Sequence, residues 1–180
     1  ECKRRFLLRY IYQLAWPAVE AEPVDEYEAH VAAGEAFHRL IHQHQLGLPV
    51  ERLTALAGGI DDEAADAGDE RRLLTWWQNY LAAGPTDLPP TRHPEITLSV
   101  PAGEYRIVAK YDLVAVQPGQ QAVIVDWKTG QHRPRQAWLN ARLQTRVYRY
   151  ILATAGAHLN GDQPLLPGQK GWTRMETIMP

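Results

Sequence analysis

The chain has 180 residues, 45% hydrophobic and 22% charged, with a formal net charge of −2. That composition excludes a disordered chain, the length suffices for one domain with a proper core, and no apolar run approaches the roughly 20 residues a membrane helix needs. A near-neutral sum neither marks nor excludes a nucleic-acid protein, because the placement of charge matters more than its total.

Taken in chain order, Phe6, Leu7, Tyr10, Ile11 and Leu14 fall at helical spacing over residues 4–15, and Pro17 stops them. The same segment, from Cys2 to Arg9, interleaves charge with apolar residues and so does not read as a signal peptide. Residues 25–46 predict a longer helix, opened by Asp25 as cap and closed near Gly47-Leu-Pro49. A short helix is expected over 50–57, then a break at Gly58-Gly59, then a helix ending around Leu81. Trp76, Trp77 and Tyr80 on that helix are core by their spacing, with base stacking as the alternative.

After the loop Gly84–Pro90 the pattern changes. Residues 95–100, 105–116 and 122–128 are rich in Val, Ile, Leu and Tyr and predict three antiparallel strands. Residues 136–155 are helical again, and the tail 156–180 is irregular. The expected architecture is a single α/β domain over 1–180, with helices to about 90, a strand hairpin and helix over about 95–155, and an irregular tail. The single cysteine rules out an internal disulfide framework and fits a reducing, cytoplasmic setting.

Alternation along a strand puts Lys110, Asp112 and Val114 on one face of the second strand. On the third, Ala122, Ile124, Asp126 and Lys128 share a face, and Val123, Val125 and Trp127 take the other. Asp126 thus interrupts an apolar row, where an unpaired carboxylate is costly and needs a partner. Lys128 is one candidate, which gives a plain ion pair; a metal is another. Two carboxylates with the Trp127 carbonyl suit Mg²⁺, and an adjacent lysine suits an attacking water and a developing phosphate charge.

In the helix that follows, Gln144 and Tyr148 lie four apart on one face. Asp112, then Asp126-Trp-Lys-Thr-Gly130, then Gln144 and Tyr148 in that order resemble the RecB-like branch of the PD-(D/E)XK nuclease superfamily over roughly residues 95–152. The resemblance implies a restriction-endonuclease-like core, a mostly antiparallel central β-sheet flanked by helices, behind a helical N-terminal half. It implies a Mg²⁺- or Mn²⁺-dependent deoxyribonuclease, endo- or exonuclease, acting in DNA repair, recombination or defence. Asp112 and Asp126 would bind metal, Lys128 would act at the water, and Gln144 and Tyr148 would position these groups. Gly34-Glu-Ala-Phe-His38 is similar to the helix that gives this family a metal-binding histidine, so His38 joins Asp112, Asp126 and the Trp127 carbonyl as a ligand. Glu95 resembles an acidic residue placed before the active-site Asp and is expected behind the ligands or as a distant ligand, with Thr129 holding the turn. Where relatives often carry Gly, this chain has Ala109, whose methyl is expected to narrow the cleft slightly.

Arg142, Arg146 and Arg149, with Lys3, Arg4, Arg5 and Arg9, are candidates for phosphate contacts, against the alternative of solvated surface charge. His38 and His42 are four apart, but no Glu follows His38 to make a zinc motif. Cys2 followed by Lys3-Arg-Arg-Phe6 resembles a segment that holds an iron–sulfur cluster in one subset of relatives. With one thiolate where four are needed, no cluster is expected in this chain, the alternative being three further cysteines beyond Pro180 in a longer parent. The partner expected is DNA, and the alternatives are a catalytically silent nucleic-acid-binding module or the nuclease piece of a helicase–nuclease or repair complex. The chain begins at Glu1 rather than Met, which fits a piece of something longer, and it carries no phosphate-binding loop, so it is not itself the motor.

Overall fold

The computed structural model describes residues 3–13, 24–59, 67–129, 142–165 and 173–178. Contacts divide the chain into two compact units, Glu1–Ala32 and Ala33–Pro180. The first contains a short helix α1 (Lys3–Phe6) that runs into a π-helical turn, Leu7–Ile11, and the opening turns of α2 (Val24–Gln45). Leu7, Ile11 and Tyr12 are exposed there.

In the second unit, the remainder of α2 is followed by α3 (Val50–Gly58) and α4 (Ala67–Ala83). Phe37, Leu40 and Ile41 on α2 and Leu73, Trp77 and Tyr80 on α4 recur at three- and four-residue spacing, which collects them on one stripe of each helix. They pack with Leu53 and Ala57 against Leu113, Ala115, Val123, Val125 and Trp127 of the sheet. Trp77 is fully buried and donates its indole N–H to Thr54 Oγ1 at 2.9 Å. Trp77 and Tyr80 are therefore core, and the stacking alternative fails for both.

Among the described residues, six strands follow in two sheets. β1 (Thr91–Pro94), β4 (Leu113–Gln117), β5 (Gln121–Trp127) and β6 (Thr173–Ile178) form a four-stranded sheet in that order, antiparallel except for the β5–β6 pair. β2 (Thr97–Ala102) and β3 (Tyr105–Lys110) make a separate two-stranded ribbon. Gly103 closes it with φ +63°, the first central position of a II′-type turn. Helix α5 (Leu143–Ala155) packs on the ribbon and on the second sheet face, where Ile151 and Leu152 meet Leu98, Val100, Ala109, Tyr111, Val114, Val116 and Ile124. Burying aliphatic and aromatic side chains of this size stabilises by about 1.5–3 kcal/mol each. At its end Gly156 donates its N–H to the Leu152 carbonyl, and a Cβ at Gly156 would meet that oxygen at 2.4 Å.

Helices, hairpin and a mostly antiparallel central sheet thus agree with the expected restriction-endonuclease-like α/β fold. Three features differ from the sequence reading, the first being β1 (Thr91–Pro94), a strand that lies ahead of the first one expected, at 95–100. The tail, expected to be irregular, supplies β6 as a parallel edge strand, because its six residues add a ladder beside the buried β5. The segment 105–116, expected to be one strand, is two, and the break between them positions the site. The N-terminal part of the helix expected from 136 lies outside the described residues.

Candidate active site

β1–β2 and β3–β4 are two halves of one long hairpin. His93 lies opposite Val114 and Pro94 opposite Leu113; past the break, Thr97 lies opposite Lys110. The register is unchanged, so Glu95 and Asp112 are cross-strand partners. The Glu95 N–H donates to the Asp112 carbonyl at 3.0 Å, and the Tyr111 N–H donates to the Ile96 carbonyl at 2.9 Å. Glu95 has φ +53°, a left-handed backbone that non-glycine residues rarely adopt and that strains the chain here.

This break shifts the alternation of faces. Ala109 and Tyr111 point into the α5 core, and so do Val114 and Val116. Lys110, Asp112 and Val114 therefore do not share a face. Lys110 is exposed, Val114 is fully buried, and Asp112 sits in the break. The Ala109 methyl likewise lies in the α5 core, not in a cleft. The faces expected for β5 hold, with Val123, Val125 and Trp127 against α2–α4 and Ala122 and Ile124 against α5.

Three elements meet at the break. His38 from α2, Glu95 after β1 and Asp112 before β4 each offer one ligand atom, all within 4.8 Å of one another. His38 Nδ1 is 3.4 Å from Asp112 Oδ1. The other Asp112 oxygen accepts the Trp127 N–H at 2.7 Å, which fixes the carboxylate. Its hydrogen bond and negative charge raise the His38 pKa above the usual histidine value, against the opposing effect of burial. Glu95 Oε2 also pairs with Lys110 Nζ at 2.5 Å, and that contact raises the lysine pKa.

Asp126, from the neighbouring strand, is 4% exposed and pairs through Oδ2 with Lys128 Nζ at 2.7 Å. Burial pushes the Asp126 carboxyl above the usual carboxylate range, and the attraction of Lys128 only partly offsets it. The negative charge of Asp112 raises it further, which brings this pair into the same electrostatic neighbourhood. Both partners of the Asp-x-Lys motif are therefore present, with the carboxylate turned onto the lysine.

Thr129 follows directly. Its Oγ1 lies 3.3 Å from where a Cβ at Gly34 would be, one helical turn before His38. The glycine thus lets α2 approach the end of the Asp-Trp-Lys-Thr stretch closely enough to deliver the histidine.

On α5, Tyr111 Oη donates to the Tyr148 carbonyl at 2.9 Å, and Tyr148 Oη donates to the Lys110 carbonyl at 2.8 Å. The two rings stand 4.9 Å apart. Tyr148 thus clamps the end of β3 through its backbone. Gln144 is half-buried one turn earlier, Arg142 stands at the helix N-terminus, Arg146 is exposed and Arg149 is half-buried. Lys3 and Arg4 are exposed in the first unit. Cys2 lies outside the described residues.

Glu95 lies in the cluster itself, with His38 and Asp112. The only signal for it is an acidic residue opening a strand ahead of Asp112, and its partnership with Asp112 follows from hairpin register. Lys110 carried no signal beyond its place in an apolar run.

The donor set of one imidazole nitrogen and several carboxylate oxygens suits a divalent cation such as Mg²⁺ or Mn²⁺. The residues present fit such an ion: the donors converge, one Asp112 oxygen is already held, and two further carboxylate-to-cation contacts use lysines. A His–carboxylate cluster that could hold a metal, at the break of a hairpin and beside an Asp-x-Lys pair, has the donor set that metal-dependent hydrolysis uses. The chain matches the family model of the PD-(D/E)XK nuclease superfamily over residues 1–178, and it belongs to that superfamily, whose nucleases use divalent metals on nucleic acid. No curated protein matches it. Among the described residues no helix is long and apolar enough to cross a membrane.

Proposed function

We propose that this protein is a Mg²⁺- or Mn²⁺-dependent deoxyribonuclease of the RecB-like type, acting in repair, recombination or defence. The observation that carries the reading is the convergence of His38, Glu95 and Asp112 within 4.8 Å beside the Asp126–Lys128 pair. The family match from residue 1 to 178 supports treating the whole chain as one nuclease domain.

In this reading His38, Asp112 and Asp126 hold the ion, with Glu95 as a further carboxylate. The Trp127 N–H points to the Asp112 side, and in an extended residue the carbonyl faces the same edge, which supports Trp127 as a backbone ligand. A divalent cation held by these residues would supply Lewis-acid polarisation of the scissile phosphate and would lower the pKa of water. Lys128 Nζ, held by Asp126, orients the attacking water and carries positive charge toward the negative charge that develops on the phosphate oxygens. Attack forms a new phosphorus–oxygen bond and breaks the bond to the leaving oxygen, which takes up a proton. Tyr148 holds the Lys110 carbonyl and through it the approach to Asp112, and Gln144 lies one turn away on the same helix. Thr129 keeps the turn seated against Gly34. Arg142, Arg146 and Arg149 are secondary candidates for the phosphate backbone.

The test is cleavage of labelled single- and double-stranded DNA in Mg²⁺, Mn²⁺ or EDTA, for wild type, Asp126→Ala and Lys128→Ala. Metal-dependent cutting that both substitutions abolish is expected. Cutting that persists in EDTA, or in both variants, removes the assignment.

A further inference from the structure

The β2–β3 ribbon continues the sheet beyond the active site, and its two faces differ. Directly opposed residues of an antiparallel pair share a face. Leu98 with Ala109 and Val100 with Ile107 form the face that packs on α5. Thr97 with Lys110, Ser99 with Val108 and Pro101 with Arg106 form the other. Lys110, Val108 and Arg106 are all exposed on that outer face, and among the described residues α5 is the helix on the ribbon, on the opposite side.

Its chemistry is one-sided. The row contains two cations, two hydroxyls, Val108 and Pro101; its carboxylate neighbours stand at the ends, Glu95 paired with Lys110 at the foot and Glu104 in the turn. Lys110 stands at the foot, its ammonium side chain 68% exposed while it pairs with Glu95. Arg106 stands near the tip. Ser99 Oγ accepts from its Nε at 3.2 Å and from its Nη2 at 2.7 Å, so the guanidinium is held in one orientation on the exposed face. Four residues of strand separate the two cations by ~13 Å, about the rise of four base pairs of duplex. Because the break at Glu95 and Asp112 shifts the alternation, this outer face lies on the same side as Leu113 and Ala115, the side α2 covers and from which His38 comes.

We propose that the outer face of the ribbon is the track for the phosphodiester backbone of the substrate strand, with Lys110 and Arg106 as phosphate contacts leading to Asp112. This assignment rests on the nuclease reading and adds where the strand runs. A fixed guanidinium suits phosphate better than a mobile one, because less freedom is lost on contact. Ser99 and Thr97 offer hydroxyl donors between the two cations.

The experiment is fluorescence anisotropy of the whole chain with labelled single-stranded and duplex oligonucleotides in EDTA, over a salt series. Wild type is compared with Arg106→Ala, Arg106→Glu and Val108→Lys, all exposed positions whose folding is checked by thermal melts. Arg106→Ala is expected to weaken binding several-fold and to lower the salt slope by about one. Arg106→Glu should weaken it more, and Val108→Lys should strengthen it. The arm that responds, single strand or duplex, identifies the form carried. Affinity and slope unchanged in all three variants, or a wild type that binds neither oligonucleotide, overturns the track. Mn²⁺ binding measured by calorimetry on the same proteins keeps the two readings apart. Metal bound and DNA cut with an insensitive ribbon rejects the track alone, whereas no metal and no cutting rejects the nuclease reading beneath it.

Discussion

Glu95 and Asp112 face each other across a hairpin at the point where both of its strands break. The Glu95 N–H bonds to the Asp112 carbonyl, and both side chains turn toward His38. Holding an acidic pair together costs free energy, both in charge repulsion and in the left-handed backbone of Glu95. A divalent cation offsets that repulsion. Adding Mn²⁺ is therefore expected to raise the melting temperature, with a ligand-concentration dependence that EDTA reverses. Glu95→Gln should weaken Mn²⁺ binding by about tenfold or more in calorimetry; binding at wild-type strength places the ion elsewhere.

Asp126 is set against the stability of its own fold. Burial raises its carboxyl pKa, so the protonated form is favoured in the folded protein. A group shifted in that sense contributes stability below the ordinary carboxylate range and loses it as pH rises through the shifted value. At neutral pH its ionised form is a net cost, which Lys128 only partly relieves. Asp126→Asn is expected to raise the metal-free melting temperature at neutral pH while cutting DNA cleavage by at least about a hundredfold. A variant that is both less stable and inactive shows that the Lys128 pair, not burial, dominates.

Close approach of α2 needs a small residue at the position of Gly34. An alanine there would sit 3.3 Å from Thr129 Oγ1, a contact that Thr129 relieves by a small shift and that the better helix propensity of alanine offsets by about 1 kcal/mol. A leucine has no such room. Gly34→Leu should push the helix from the turn, displace His38 and weaken Mn²⁺ binding, whereas Gly34→Ala stays close to wild type. Equal metal affinity in the leucine variant separates His38 from the site.

The pH dependence of stability should carry a signature of His44. Its Nδ1 lies 2.8 Å from Tyr80 Oη, which also accepts from Gln45, while Arg92 donates to that same Gln45 amide. Burial, with a smaller effect from Arg92, lowers the His44 pKa below 6.5, so the neutral ring is favoured. Stability from this group is fully present above pH 6.5 and is lost as pH falls toward the depressed value. In urea denaturation, the advantage of wild type over His44→Gln should shrink as pH is lowered below 6.5. A difference that stays constant or grows on acidification contradicts a neutral His44.

Much of this was legible before any coordinates. Helical stripes on α2 and α4 follow from three- and four-residue spacing, and they place Trp77 and Tyr80 in the core. The alternation of β5 places Asp126 and Lys128 on one face and Trp127 on the other, because side chains on a strand must alternate. The same argument failed for β3–β4. Nothing in Lys110-Tyr-Asp-Leu113 marks a break, since the deformation arises on the opposite strand, at Glu95. The tail also escaped, because an edge strand with Gly and Pro around it has weak alternation and acquires its conformation by pairing with β5.

By itself, then, the sequence determined the helices, the apolar strand segments and the chemical types available: a histidine on α2, carboxylates on the hairpin and an Asp-x-Lys on β5. Those are local properties, set by periodicity and side-chain chemistry. The tertiary structure decided which of them meet. It brought Glu95 opposite Asp112, turned Asp126 onto Lys128 and, among the described residues, left Lys110, Val108 and Arg106 exposed on one face of the ribbon. Such partnerships join residues far apart in the chain through register, helix approach and a strained backbone, and those are fixed only when the whole fold packs.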